Sequence, residues 1–132
     1  MHWIVSGIKW IMLISGGLTC TMLYAAIAPR AALRSTFGDT LEGPVANIVV
    51  RNWGVLIGLV GAMLIYGAFN ASARPLILTV AGVSKLAFIG LILVLGRQFL
   101  SYQAGLAIVS DVIQVALFAG YLLARKVEKA VA

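Results

Sequence analysis

Acidic residues, histidine and cysteine are nearly missing from this chain of 132 residues, which has four Asp or Glu, one His and one Cys. A lone cysteine, Cys20, forbids an internal disulfide, and His2 alone leaves almost nothing for a zinc or haem site, so neither a metal nor a cofactor is expected. No Ser-His-Asp set, Cys-His pair or Walker loop can be assembled, and the chain does not read as an enzyme. Charge as a whole is also scarce: 11% of residues are charged and 62% are hydrophobic. That is too apolar for disorder and too apolar for one soluble core of this size. The chain is expected in a membrane. Its formal net charge of +6 would point to nucleic acid in a soluble protein. Here it points to Lys and Arg at helix ends facing anionic lipid, so membrane lipid is an expected partner and nucleic acid is not.

A spanning helix takes about 20 mostly apolar residues, so the length admits at most about four or five spans and no separate soluble domain. Four apolar stretches are present, at about 3–28, 45–69, 75–96 and 103–124. The first ends in Ala26-Ile27-Ala28 before Pro29, which resembles a signal-peptide cleavage site. Its apolar part exceeds the roughly 7 to 15 residues of a signal core, and Pro29 would follow the scissile bond directly, so it is read as a span. The polar stretch 29–44 holds Leu33, Phe37 and Leu41 at four-residue spacing. That spacing fits a turn or two of helix at the membrane surface, and a plain connecting loop fits equally. Asn70 to Arg74 makes a short turn before Pro75, Arg97-Gln98 separates the third span from the fourth, and 127–132 is read as a short tail. Such short links run neighbouring helices antiparallel. The expected fold is therefore all-α, a single integral membrane domain built as a four-helix up-down bundle. No strand-like alternation recurs that would make a barrel.

An even number of spans puts both termini and the second link on one side. That side carries Lys9, Arg74, Arg125, Lys126 and Lys129, against Arg30, Arg34, Arg97 and the deeper Arg51 on the other. The positive-inside rule then places both termini in the cytoplasm.

Three charges fall inside spans. With about 1.5 Å of rise per residue, Lys85 lies near the midplane, Asp111 roughly 4 Å from it and Arg51 roughly 9 Å, all in the half toward the first link. A central charge costs about 2.5 to 3.5 kcal/mol on insertion scales, so these groups are expected to face inward and pair, with Asp111 accepting from both Lys85 and Arg51. Asn47, Asn52, Ser84, Ser110 and Gln114 are near enough in sequence to solvate the cluster. Asn47, Arg51, Gly54, Gly58 and Ala62 share one face of the second helix, and Ala107, Asp111, Gln114, Phe118 and Tyr121 one face of the fourth. Two readings stand for the cluster: a buried ion-pair network that fixes register, or a polar pocket open toward the first link.

Gly54 and Gly58 form a GxxxG motif, extended by Gly61 and Ala62. Such a stripe is expected to pack one helix closely on another, here within the chain. Ser15, Thr19, Cys20 and Thr21 make a weakly polar patch read as helix packing. Trp53, beside Arg51, either stacks on the guanidinium or faces the interface.

The plan resembles the small four-helix membrane proteins grouped as DoxX-like. The likeness rests on Pro29 ending the first span, Asn47 and Arg51 at the start of the second, the Gly-rich run from Gly54 to Gly67, and Arg74-Pro75 opening the third. It implies a bacterial-type cytoplasmic (inner) membrane protein and an accessory-subunit role, and it carries no catalytic residue over. The function expected is a binding or accessory module whose cluster of Arg51, Lys85, Asp111, Asn47, Asn52 and Gln114 engages a lipid head group, a small molecule or a partner membrane subunit. The alternative is a homo-oligomeric transporter or channel that moves ions or protons along these charges.

Overall fold

The structure, a computed structural model, describes residues 2–131, with side chains from Ser6 to Val127. Helix α1, His2–Cys20, tightens into a 3-10 turn, Thr21–Leu23, and resumes as α2, Tyr24–Ile27. Two hydroxyls turn back on the backbone at this tightening: Thr19 Oγ1 donates to the Ser15 carbonyl at 2.7 Å and Thr21 Oγ1 to that of Leu18. Ala28 leaves helical geometry ahead of Pro29, which opens α3, Pro29–Phe37. The two long spans α4, Pro44–Phe69, and α5, Arg74–Leu95, each carry a proline in their first turn. A 3-10 turn, Arg97–Phe99, leads to α6, Gln103–Val131. The residues read as a tail after Lys126 continue α6, because Arg, Lys, Glu and Ala are all good helix formers. Lys129, counted for orientation, lies outside the described side chains.

Four segments are long and apolar enough to cross a membrane: Ser6–Ile27, Pro44–Phe69, Arg74–Leu95 and Gln103–Val127. No strand occurs among the described residues. The fold is an all-α bundle, and its outer faces carry Ile14, Val83, Val94 and Val109, all exposed. Water would penalise such faces; lipid does not. This is a membrane protein.

The helices associate as two pairs, α1 with α4 and α5 with α6. Gly54, Gly58 and Gly61 are buried on α4 and form the seam with the first span. A Cβ at Gly61 would stand 2.7 Å from the Cys20 amide nitrogen and 2.8 Å from the Gly16 oxygen, and one at Gly54 2.7 Å from the Ala26 nitrogen. Backbone therefore meets backbone, as small-residue stripes allow. Cys20 Sγ sits in this seam, 3.7 Å from the Gly58 oxygen. Ala62, assigned above to the same stripe, is exposed. After Gly58 the inward positions are Gly61 and Ile65, which meet Gly16, and one residue further is about 100° around the helix.

The half of the bundle holding the termini is solid. Ile8 and Met12 of α1, Leu64 and Ala68 of α4, Leu78 of α5 and Phe118 of α6 form one cluster, all nearly inaccessible. Arg74 closes the α4 to α5 turn, donating to the Gly67 and Ala68 carbonyls at 2.9 Å each. In the other half α5 and α6 share a smaller core around Ile92, Ala104 and Ile108, with Phe37 of α3 and Phe99 against it. Between the two pairs that half is hollow.

The segment 29–44 is thus neither plain loop nor surface-lying throughout. Ala32, Leu33 and Thr36 of α3 are buried under the end of the bundle, and Leu41, past the Gly38 terminus, is exposed. Gly38 takes φ of 73°, left-handed, and its N–H bonds the Arg34 carbonyl at 2.8 Å. Arg30 pairs with Glu42 at 3.0 Å across the segment. Phe37 packs its ring between Trp53, centroids 6.2 Å apart, and Phe99, 5.2 Å apart and edge-on.

The two kinds of glycine are separable by one methyl group. Gly61→Ala forces backbone apart and should cost about 1 to 3 kcal/mol. Gly90→Ala, where a Cβ meets nothing within 4 Å, should be neutral or stabilise by about 0.5 to 1 kcal/mol through helix propensity. Thermal unfolding of the two variants in one detergent checks the ordering.

Candidate functional site

The hollow half contains a cavity of about 430 Å3. Its walls come from the upper parts of α1, α4, α5 and α6, and Thr36 of α3 forms the roof. On α4 the wall is Trp53, Ile57 and Val60, three- and four-residue neighbours that sit beside the glycine stripe rather than on it. Trp53 therefore turns to Phe37 and the cavity, not to the Arg51 guanidinium.

At the floor, near mid-depth, Lys85 Nζ donates to Asp111 Oδ1 at 3.1 Å and, across the bundle, to Thr19 Oγ1 at 3.4 Å. Both charged side chains are largely withdrawn, 10% and 15% exposed. The Thr19 hydroxyl spends its own proton on Ser15, so its lone pairs face the ammonium. One helix turn below Asp111, Gln114 is buried, and its Nε2 donates to Ser110 Oγ at 2.8 Å. Among the described residues Gln114 Oε1 has no hydrogen-bond partner. A buried amide oxygen left unpaired costs about 1 to 3 kcal/mol, which makes it the exceptional atom of the site.

The other residues assigned to the cluster lie elsewhere. Arg51 is exposed; its Nε donates to Asn47 Oδ1 at 2.7 Å and its Nη1 to the Ala26 carbonyl. It does not reach Asp111. The reason is azimuth: Arg51 continues the glycine stripe that faces α1 and α2, and there it satisfies a carbonyl at the end of α2, which has no helical partner of its own. Asn47 serves Arg51 and borders a separate surface hollow beneath residues 41–44. Asn52 is exposed, and its side chain makes no hydrogen bond among the described residues. Ser84 and Ser110 do line the cavity. Thr19, read above as packing, is the site residue that the sequence reading missed.

Among the described residues no group of three or more His, Cys, Asp or Glu stands together in a way that would hold a metal ion. Comparison with protein families, curated proteins and solved structures finds no match for this chain. The likeness to the DoxX-like plan accordingly rests on the sequence features given above.

Breaking one partner of the ion pair strands the other in a low-dielectric site. Lys85→Met and Asp111→Asn should each lower stability by roughly 2 to 4 kcal/mol, below the fully buried range because the cavity admits some solvent. The double change Lys85→Met with Asp111→Asn should cost less than the sum of the singles. Unfolding midpoints of the three variants measure this coupling, and simple additivity would mean that the pair contributes nothing as a pair.

Proposed function

We propose that the chain is a binding module of a bacterial-type cytoplasmic membrane, acting alone or as an accessory subunit, whose cavity takes the polar head of a small molecule or lipid from the bilayer. The observation that carries this reading is the cavity ending on the Lys85–Asp111 pair. Its volume falls in the range of about 300 to 1,000 Å3 common to small-molecule sites, with apolar walls and a few convergent polar groups. Intramembrane charges turned toward such a space are functional candidates in their own right.

The solid half favours binding over conduction. A path across the membrane would have to displace Met12, Leu64 and Phe118, each 1% exposed or less. The basic residues around the termini and the second link support a cytoplasmic placement of both ends. In that orientation the cavity lies in the outer half of the bilayer, roofed by α3.

Ala107 borders the cavity one helix turn from Asp111 and makes no part of the ion pair, so Ala107→Phe tests the reading by filling the space. Protein purified in mild detergent should carry a co-purifying small molecule or lipid, seen by native mass spectrometry and lipid extraction. The variant should lose it while unfolding at a similar temperature. Identical cargo, or none, on both proteins would sink the proposal.

A further inference from the structure

The cavity's own hydrogen-bond accounting says which kind of head group it takes. Lys85 and Asp111 are the only charged residues among those lining it, and they stand 3.1 Å apart. The lining is therefore neutral as a whole. An anionic head placed at the ammonium would also meet the Asp111 carboxylate, and a cationic head placed at the carboxylate would meet Lys85. In a low-dielectric setting either like-charge contact is expensive.

What the floor lacks is not charge but partners. An ammonium has three protons, and Lys85 commits two, to Asp111 and to Thr19. Asp111 receives Lys85 on Oδ1, and its Oδ2 has no hydrogen bond among the described residues. Gln114 Oε1 is unpartnered on a residue only 6% exposed. Lys85 keeps one proton and Gln114 Nε2 another, and two acceptor oxygens are left over, within about a helix turn of one another. The group that answers both kinds is a hydroxyl, which donates and accepts. It also suits the Gln114 amide in either orientation, whichever end faces Ser110.

The route in adds a second constraint. Leu18 and Leu106 border the cavity from α1 and α6 and are 54% and 73% exposed. The mouth is therefore rimmed by lipid-facing leucines, Leu18 near the middle of the first span and Leu106 in the first turn of the fourth. A head arriving sideways must cross hydrocarbon to reach Lys85, at a cost of about 2.5 to 3.5 kcal/mol for a full charge and far less for a hydroxyl. Leu18, Ile57, Val60 and Phe88 then offer an apolar wall to whatever body trails behind the head.

We infer that the cavity binds an uncharged, hydroxyl-bearing amphiphile, of the monoacylglycerol or fatty-alcohol kind, its hydroxyl bonded among Lys85, Asp111 and Gln114. The inference rests on the binding reading above and deepens it. Trp53 in the cavity wall supplies the reporter, once Trp3→Phe and Trp10→Phe remove the other two tryptophans. In nanodiscs, three probes with the same dibrominated C18 chain and different heads are compared: a glycerol ester, a carboxylate and a primary amine. The glycerol ester should quench Trp53 at a mole fraction about tenfold lower than either charged probe.

Gln114→Leu removes the orphaned oxygen. It should erase most of that preference while leaving the unfolding temperature unchanged or raised, the opposite of what a purely structural glutamine would do. Should the acid or the amine quench as well as the ester, the uncharged-head inference falls and the binding module stands. If no probe quenches more than it does in the cavity-filled Ala107→Phe protein, both fall together. A preference for the ester that survives Gln114→Leu intact also overturns the inference as stated, since the head then does not use that oxygen.

Discussion

Lys85 ties the two helix pairs together at mid-depth, above the core that they share. The glycine seam joins α1 to α4, and the tight connection at 96–102 joins α5 to α6. At mid-depth it is Lys85 of α5 that reaches Asp111 of its own pair and Thr19 of the opposite one. Lipid is as apolar as leucine and supplies no hydrophobic drive to bring two helix pairs together, so a polar tie at this depth carries weight that it would not have in water. The tie also fixes a level. On the terminal side of it the four helices fill their shared space with side chains; on the α3 side they do not.

The hollow follows from the seam itself. With Gly16, Gly54 and Gly61 letting backbones touch and Gly58 admitting the Leu23 side chain, the first span is drawn along α4 through its 3-10 turn and α2, away from α6. The space opened between the pairs is too wide for their side chains to close. α3 covers its end, held by the Phe37 contacts with Trp53 and Phe99 and by a Tyr24 hydroxyl 2.7 Å from that of Ser35. The stretch whose spacing fits a surface helix and a plain loop equally is structurally a roof.

How far the sequence could be read depends on which coordinate is asked for. Depth is legible, because rise per residue is fixed: Lys85 and Asp111 were placed at adjoining levels by arithmetic, and they meet. Azimuth is not, because a polar residue and a glycine on the same stripe face the same neighbour, and nothing local says which neighbour that is. Arg51 shared its stripe with Gly54 and Gly58 and went with them to the α1 and α2 side, leaving Trp53 and Ile57 for the cavity. Ala62 failed as part of the glycine stripe for the same reason at finer grain. Thr19 was legible in principle. It lies roughly 5 Å from the middle of the first span, on the same side as Asp111, but a threonine in a helix so often bonds its own backbone that the depth coincidence carried no signal until Lys85 was seen to reach it. For the segment 29–44, spacing alone admitted both helix and loop, and burial of Leu33 under the bundle decided for helix as far as Gly38.

A register lock and a binding site make opposite demands on the residues around an ion pair. A lock is best served by a fully connected network with packed surroundings, because a half-satisfied polar cluster is worse than an apolar core. The terminal half of this bundle demonstrates that the chain can pack solid where solidity is all that is required. Around Lys85 and Asp111 it leaves a void and, among the described residues, an unpaired amide oxygen on Gln114 and a carboxylate oxygen with no partner. Each of these weakens the lock, and a leucine at 114 would remove the unpaired amide oxygen outright. The incompleteness is local to the cavity floor, where an incoming hydroxyl would complete it. A purely structural role leaves that coincidence without a cause.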